Sequence, residues 1–408
     1  MEAFVAGRKG KDVRSDCWVS FTPADSGGRE IILKSKVASM FGQAIQMQAH
    51  EVLIALNVEH CRLEIEDAGA LPFVLGARIE TAVRQSLNEK NGAGCLDPRQ
   101  GWLPPLKPQC RYESTRDRLR RSRLYLPGNE PKYFLNAGLH KPDGVILDLE
   151  DAVSPLEKDA ARVMVRNALR TVDFYGAERM VRINQGDMGL EDLEWVVPHN
   201  VHVILIPKVE EAVQVNEVGA KIERFQSADP NSKLKTPNSK ILLMPIIESA
   251  KGGINAYSIA IASPKVVALA VGLEDYTADI GVERTLEGKE SFWLRSQVVN
   301  AAKAAGIQAI DTVFSDVADM EGLKASVRES KSLGFEGRGC IHPRQIPVVH
   351  EAFAPTDKEL AKAELIVAAF REAEEKGLGV VSLGSKMIDP PVVKRALKTV
   401  ELAKRVRK

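Results

Sequence analysis

The sequence lacks the features that tie a protein to a polyanion, a membrane or an exported compartment. Its formal net charge is only +1 over 408 residues, so charge alone implies no nucleic acid partner. The N-terminal residues carry scattered charges and no apolar run of the length that a signal peptide needs, which predicts a cytoplasmic protein without membrane attachment. With 44% hydrophobic and 27% charged residues, the composition is typical of a globular protein.

Cysteine is also scarce, and its spacing is uninformative. No two cysteines have the C-x-x-C spacing of zinc sites and redox motifs. We therefore expect reduced thiols at all five positions, which are Cys17, Cys61, Cys95, Cys110 and Cys340.

The length predicts more than one hydrophobic core, because single cores usually stop growing at roughly 250–300 residues. Residues 1–92 form the first predicted unit, a small α+β domain. Its strand-like and helix-like segments follow each other at 18–21, 30–33, 37–56, 61–67 and 77–90. Residues 93–120 are rich in proline and glycine and lack periodicity, which predicts a linker that reaches tens of ångströms if extended.

Short apolar runs then alternate with amphipathic stretches, as in parallel strands covered by helices. Eight runs occur, at 122–127, 144–150, 179–184, 201–208, 241–248, 266–275, 308–314 and 337–343. They predict an α/β fold, a (β/α)8 barrel over residues 121–356. An open doubly wound sheet is the alternative, but no glycine fingerprint follows the first run.

Helices are predicted between the runs and after the last one. Residues 157–170 and 294–306 have helical patterns, whereas the polar stretch 226–239 is typical of a surface loop. Residues 357–408 form a C-terminal helical segment, in which two helices are separated by residues 377–391.

Active sites of such barrels lie at the carboxyl ends of the strands. Polar residues at the predicted ends are Glu150, Asp151, Arg182, Asn184, Lys208, Glu248, Asp275, Asp311 and His342. Glu248 and Asp275 belong to neighbouring strand ends and can converge on one Mg²⁺ ion, which prefers a few carboxylates with water or substrate oxygens. The alternative is that each carboxylate caps a helix or pairs with a lysine.

The other candidates have ordinary explanations as well. Arg182 can grip a substrate carboxylate or form a structural pair with Glu150 or Asp151. Lys132 can meet an anion or be an exposed lysine at a helix start, and His342 can act as a base or be a packed strand-end residue. Asp389 precedes two prolines and is a typical N-cap of the last helix.

Nine runs along residues 120–405 resemble the citrate lyase beta-subunit family, which includes citramalyl-CoA and malyl-CoA lyases. They are SRLYLPGNEPKYF, GVILDLEDAVSPLEKDAAR, VRIN, IPKVE, PIIESAKGG, AVGLEDYTADIGV, AAKAAGIQAIDTVFSD, GFEGRGCIHPRQI and GSKMIDPPVVKRA. With so many motifs in order, the resemblance is specific. It implies a magnesium-dependent carbon–carbon lyase.

The first domain resembles the citrate lyase acyl carrier protein, the gamma subunit, through KVASMFGQAIQMQAHEVLIALNVEHCRLEIEDAGALPFVLGARIETAV. In that family a serine near the N-terminus carries a phosphoribosyl-dephospho-coenzyme A arm, and Ser15 is the serine near that place. The family's small residue between serine and aspartate is missing, because Asp16 follows Ser15 directly. Alignment on the aspartate instead places Arg14 at the loaded position.

The resemblance also implies roles for residues of the barrel. Glu248 and Asp275 fall on the magnesium ligands, with Glu150 and Asp151 beside them, and Arg182 falls on a substrate-carboxylate ligand. The remaining matches line the thioester pocket or supply an acid: Tyr125 and Lys132 at the pocket, Gly339 and Cys340 along the pantetheine arm, and Asp389 as an acid that often serves a neighbouring subunit.

These roles predict retro-Claisen cleavage of a 3-hydroxy-3-carboxyacyl thioester, above all of citryl carrier into oxaloacetate and acetyl carrier. A carrier in the same chain raises the effective concentration of its thioester. The resemblance further implies a separate alpha-type acyl transferase subunit and a homotrimer or homohexamer. Two alternatives remain. One is a lyase that cleaves citramalyl carrier, or citramalyl or malyl thioesters of free coenzyme A, and the other is a non-catalytic scaffold that docks a carrier.

Overall fold

The computed structural model describes residues 2–91, 101–227, 240–375, 381–383 and 386–406. Cys95 and most of the predicted loop at 226–239 lie outside these residues. The four described cysteines are free thiols, and all four are buried. Within the described ranges, no helix is both long enough and apolar enough to span a bilayer.

The N-terminal residues fold into a small sheet covered by two helices. The strands are β1 Phe4–Gly7, β2 Cys17–Pro23, β3 Arg29–Ser35 and β4 Cys61–Asp67, in the sheet order β1-β2-β4-β3. Helix α1 (Ala38–Ala55) returns the chain between the parallel strands β3 and β4, and α2 (Pro72–Asn91) follows β4. The predicted α+β domain is confirmed. Strand β1 was not predicted, because four residues are too few for a periodic signal.

Eight parallel strands close into a barrel, which confirms the predicted fold. Each predicted run overlaps one strand, and the last strand pairs with the first in the series β5 Ser122–Pro127, β6 Gly144–Asp148, β7 Glu178–Arg182, β8 Val203–Ile206, β9 Leu242–Ile247, β10 Ala268–Val271, β11 Gln308–Asp311 and β12 Gly337–Cys340. Strands β6, β8, β9 and β10 are buried along their whole length. Continuous burial is expected where helices cover one face and interior side chains fill the other.

Helices surround the barrel and extend beyond it. The surrounding helices are α3 Lys158–Thr171, α4 Gly186–Val196, α5 Ala212–Ser227, α6 Ala250–Ile254, α7 Ala256–Ala260, α8 Leu273–Asp279, α9 Phe292–Ala304, α10 Met320–Leu333 and α11 Gln345–Phe353. The two predicted C-terminal helices are α12 Asp357–Glu375 and α13 Pro390–Val406. A short hairpin that was not predicted, β13 Val381–Leu383 with β14 Lys386–Ile388, lies between them.

The first domain packs against the barrel through helices α2 and α3. Phe73, Val74 and Ala77 of α2 belong to the same hydrophobic cluster as the barrel's outer core. Across this interface, Arg166 of α3 donates two hydrogen bonds to Glu80 of α2, at 3.0 and 2.7 Å. Both side chains are fully buried, so the two domains share one interior at this place.

The described part of the predicted linker, residues 101–120, is packed rather than extended. The Pro104 carbonyl accepts a hydrogen bond from Arg170 of α3 at 2.6 Å. Arg120, at the end of the segment, forms a fully buried ion pair with Glu178 at 2.7 Å. Trp102 packs against the core of the first domain, so residues 101–120 contact both domains.

Replacing Glu80 alone with alanine should lower the free energy of unfolding by about 3–5 kcal/mol, because Arg166 then stays buried without its carboxylate. Replacing both residues with methionine should cost less, since Arg166 is then removed together with its partner and only Arg84 loses the Glu80 carboxylate. Urea unfolding followed by circular dichroism measures both variants. A single variant that costs no more than the double one would contradict the assigned role of this pair.

Candidate active site

A cleft opens at the carboxyl ends of the barrel strands. Seven of the residues predicted from the sequence line it, namely Tyr125, Asp151, Arg182, Glu248, Asp275, Asp311 and Gly339. Arg123 and Asp148 line it as well, although no sequence pattern had singled them out. The cleft therefore gathers most of the predicted strand-end residues in one place.

Glu248 and Asp275 face this cleft from neighbouring elements. Glu248 follows β9 and is buried, and its Oε2 accepts a hydrogen bond from the Lys208 backbone N–H at 2.8 Å. Asp275 lies in the first turn of α8, half exposed, with its Oδ1 3.2 Å from Lys208 Nζ. Burial, reinforced by the nearby Asp275 and Glu150 carboxylates, raises the pKa of Glu248 to about 7. The two acids thus converge on one cleft, although Asp275 also makes the lysine pair that was the alternative prediction.

Lys208 joins the acidic groups of the site. Its Nζ lies 3.5 Å from Glu150, 3.7 Å from Asp151 and 3.2 Å from Asp275. Its backbone is left-handed, with φ 49°, a conformation that costs energy for a residue with a side chain. This conformation coincides with the N–H bond to Glu248, so Lys208 fixes one carboxylate with its backbone and faces three with its side chain. The sequence had placed Lys208 at a strand end without a role.

One edge of the Arg182 guanidinium binds Asp148, a residue that the sequence analysis did not identify as a candidate. Its Nε and Nη2 donate to the two oxygens of Asp148 at 2.7 and 2.6 Å. Its Nη1 lies 2.8 Å from Glu150, and the guanidinium lies over the Tyr125 ring. The predicted structural pair with Glu150 is therefore present, and Arg182 also lines the cleft. The alternating acids of LDLED were the only sequence signal for Asp148.

Other predicted residues have structural partners or lie outside the cleft lining. Asp311 pairs with Arg295 at 2.7 Å while its chain segment lines the cleft. Cys340 is buried, which raises the pKa of its thiol to about 12 and makes it unreactive. His342 accepts from the Arg344 N–H at 3.1 Å, and Lys132 is exposed beside Glu130, as its ordinary explanation predicted.

Asp389 lies in the C-terminal extension, away from the cleft lining of its own chain. Its Oδ1 accepts from the Val392 N–H at 3.2 Å, so the predicted helix cap is present. The extension has its own small core, which contains Ile366, Ile388 and Val393. In the described part of one chain, no contact brings Asp389 to Glu248 or Asp275.

Ser15 belongs to a loop of the first domain that lies beside the carboxyl ends of β5 and β6. In this loop Arg8 forms ion pairs with Glu130, which follows β5, and with Glu157, which precedes α3. Ser15 is half buried and left-handed, with φ 55°. The predicted attachment segment is thus on the same side of the barrel as the cleft.

Asp16 anchors this loop. Arg78 of α2 donates to both Asp16 oxygens at 3.0 and 2.9 Å and to the Asn129 carbonyl at 2.9 Å. Since Asn129 follows β5, one buried guanidinium connects the loop, its domain and the barrel rim.

The possible metal ligands in the cleft are few. Among the described residues, no group of three or more His, Cys, Asp and Glu side chains is placed to hold a metal ion. A site formed by Glu248 and Asp275 would thus be of the two-carboxylate kind, in which water and substrate complete the coordination, as Mg²⁺ tolerates.

Two protein families match the two parts of this chain. The HpcH/HpaI aldolase/citrate lyase family matches residues 121–343, more than half of the chain. The ACP family, described as malonate decarboxylase delta subunit, matches residues 8–86.

Individual relatives agree with this division. The citrate lyase subunit beta of Leuconostoc mesenteroides subsp. cremoris is 41% identical over 289 residues, which cover 70% of this chain and 94% of that protein. The mitochondrial citramalyl-CoA lyase of Homo sapiens is 34% identical over 296 residues, 70% of this chain and 85% of that protein.

A solved structure matches the barrel as well. CitE from Mycobacterium tuberculosis, in complex with magnesium, acetoacetate and coenzyme A, has 31% identity and a TM-score of 0.59, and the match covers 71% of this chain and 100% of that one. The chain belongs to the HpcH/HpaI aldolase/citrate lyase family, carries an N-terminal domain of the acyl carrier type, and is a lyase.

Proposed function

We propose that this chain is a Mg²⁺-dependent lyase that cleaves a 3-hydroxy-3-carboxyacyl thioester, with citryl thioester as substrate and oxaloacetate and acetyl thioester as products. The observation that carries the proposal is the convergence of Glu248 and Asp275 on one cleft, beside Arg182 and Lys208. Relatives named citrate lyase and citramalyl-CoA lyase agree with this chemistry.

The donor set fits magnesium. Both proposed ligands are carboxylates, the hard oxygen donors that Mg²⁺ prefers. Burial and the neighbouring acids disfavour ionised Glu248, and a divalent cation would remove that penalty. When bound, the ion supplies Lewis-acid polarisation of substrate oxygens. Glu150 and Asp151 lie beside the ligands and orient Lys208 and Arg182.

The remaining steps fall to side chains of the protein. The substrate hydroxyl gives its proton to solvent water, and its oxygen becomes the carbonyl of the 2-oxo acid. The bond to the thioester α-carbon breaks, and the electron pair of that bond forms the enolate of the departing acetyl thioester. Asp148 and Glu150 orient Arg182, and it would hold a substrate carboxylate with the N–H groups that these two acids leave unused. Asp389 of a neighbouring subunit of a homotrimer or homohexamer then protonates the enolate carbon. Tyr125 and Gly339 line the path of the thioester, and contacts of Lys132 and Cys340 with its arm stay predictions.

We further propose that Ser15 carries the phosphoribosyl-dephospho-coenzyme A arm. Its loop lies beside the barrel rim, so an arm on Ser15 would enter the cleft of its own chain. A separate alpha-type acyl transferase would exchange acetyl for citryl on the arm. Mass spectrometry of protein from its native host should find the arm on Ser15, and Ser15→Ala should remove it while the barrel stays folded.

Free coenzyme A thioesters are the second candidate substrates, and one observation favours them. Ser15 has the left-handed backbone that a small residue such as glycine adopts readily, which agrees with the alignment that places Arg14 at the loaded position. An unmodified Ser15 in native protein, together with full activity on soluble thioesters, would establish this alternative in place of the loaded carrier.

An activity assay tests the proposal as a whole. Purified protein is given citryl-, citramalyl- and malyl-coenzyme A, and release of the 2-oxo acid is followed with MgCl₂ and with excess chelator. Metal-dependent release of oxaloacetate is expected. Absence of release from all three thioesters would refute the proposed function.

Gly272→Ala should weaken Mg²⁺ binding by about 10–100-fold, as displacement of a metal ligand's support commonly does. A Cβ at position 272 would lie 2.2 Å from Glu248 Oε1, so the carboxylate would have to move. The backbone itself allows alanine, since φ is −114°. Calorimetric titration with MgCl₂ measures the change, and Gly219→Ala, where the added Cβ would meet only Leu243 Cδ1 at 3.9 Å, is the comparison. Equal magnesium affinity in wild type and Gly272→Ala would contradict the placement of Glu248.

A further inference from the structure

Arg123 is a buried cation at the floor of the cleft. It lies on the inward face of β5, is 1% exposed, and lines the cleft together with Tyr125 two residues further along the strand. Its neighbours in register are Gly144 on β6 and Gly339 on β12, neither of which has a side chain. The long arginine side chain therefore occupies the barrel interior between two glycines.

Its guanidinium lacks the partners that buried arginines normally have. Nη1 donates to the Met244 sulfur at 3.0 Å, a weak acceptor, and Nε has no hydrogen-bond partner among the described residues. No carboxylate of the described residues forms an ion pair with Arg123. Other fully buried arginines have oxygen acceptors: Arg78 with Asp16, Arg120 with Glu178, Arg166 with Glu80, Arg179 with the Asn200 carbonyl and Arg338 with the Thr312 carbonyl.

The other cations of the cleft, unlike Arg123, already have carboxylates of the protein as partners. Arg182 is held by Asp148 and Glu150, and Lys208 faces Glu150, Asp151 and Asp275. An unpaired guanidinium in the interior costs free energy, and its planar fork of donors matches a carboxylate. Desolvation is strong enough to lower the pKa of Arg123, yet an arginine remains charged near neutral pH. The floor of the cleft therefore contains a cation, Arg123, without a matching anion from the part of the chain that the structure describes.

We propose that Arg123 binds the second carboxylate of the acyl group, the carboxymethyl group that citryl has and citramalyl lacks. This inference rests on the proposed function and names its substrate. Arg182 holds a carboxylate at the mouth of the cleft, and Arg123 selects for a further carboxylate at the floor. Arg123 is thus a specificity-determining residue of the cleft.

Kinetics with two thioesters test the selection. Arg123→Met should lower kcat/KM for citryl-coenzyme A by about 100-fold, because a buried charge partner of the substrate is lost. For citramalyl-coenzyme A, kcat/KM should change less than about threefold. Met244→Leu removes only the weak sulfur acceptor and should leave the ratio of the two substrates unchanged. Equal losses on both thioesters, or no loss on citryl, would overturn the proposal.

A binding measurement separates this inference from the lyase activity. Oxaloacetate with MgCl₂ should raise the melting temperature of the full chain more than pyruvate with MgCl₂ does, and Arg123→Met should abolish that difference. Arg123→Met itself should melt no lower than wild type, since it removes an uncompensated buried charge. One outcome is that no thioester is cleaved, while oxaloacetate still stabilises wild type more than pyruvate does and stabilises Arg123→Met no more than pyruvate does. In that case the proposed function is refuted and the anion site is supported. If oxaloacetate and pyruvate stabilise wild type equally, the anion site fails.

Discussion

Glu248→Gln is expected to lower lyase turnover by about 10³-fold or more, since a metal ion in such a site contributes several kcal/mol to the stabilisation of the transition state. Glutamine has nearly the same shape and still offers an oxygen to the Lys208 N–H, so the fold should be kept. The loss would therefore come from the missing charge. Release of 2-oxo acid over a range of MgCl₂ concentrations measures it.

Glu336→Gln provides the matched control for this variant. It makes the same carboxyl-to-amide change at the opposite end of the barrel, just before β12, where Glu336 pairs with Lys303. Its turnover should equal that of wild type. Full activity of Glu248→Gln, or wild-type activity that survives a chelator, would remove the metal from the proposed mechanism.

Asp389→Asn is expected to lower turnover by about 10²–10⁴-fold, the usual contribution of a positioned acid or base. Asparagine caps helices as well as aspartate does, so the hydrogen bond to the Val392 N–H should persist and the last helix should remain folded. The substitution thereby separates the catalytic role from the structural one. Single-turnover assays with unchanged circular dichroism measure the effect, and unchanged turnover would leave Asp389 as a cap alone.

Mixed oligomers show which subunit Asp389 serves. Asp389→Asn chains have an intact metal site, and Glu248→Gln chains have an intact acid. If the acid acts across a subunit interface, joint unfolding and refolding of the two inactive variants restores turnover in the mixture. If the acid serves its own chain, the mixture stays inactive.

Much of this molecule was predictable because its sequence is periodic. The eight apolar runs are bounded by turn residues, and residues at the ends of parallel strands meet at one end of a barrel. The sequence therefore predicted that Glu248, Asp275 and Arg182 share one cleft, and all three line it. Their shared location follows from topology and requires no knowledge of side-chain conformation.

The side-chain partners of those residues could not be predicted from the sequence. In a strand buried on both faces, no alternation of polarity shows which side chain faces inward, so Asp148 and Arg123 could not be distinguished from structural charges. The role of Lys208 depends on a left-handed backbone, which a lysine rarely adopts. Arg78 joins Asp16 to Asn129, residues more than a hundred positions apart, through a contact that only the folded chain creates.

The core that the first domain shares with the barrel would determine how acyl groups are transferred between active sites. Separation of the two domains would expose Phe73, Val74 and Ala77 to water, and it would leave Arg166 without its carboxylate partner. An acylated arm would thus move while the first domain stays fixed to the barrel. A transferase would have to bind at the rim of the barrel to reach that arm. In such an assembly, the acyl transferase would move to the carrier domain, and each lyase barrel would have its own carrier arm.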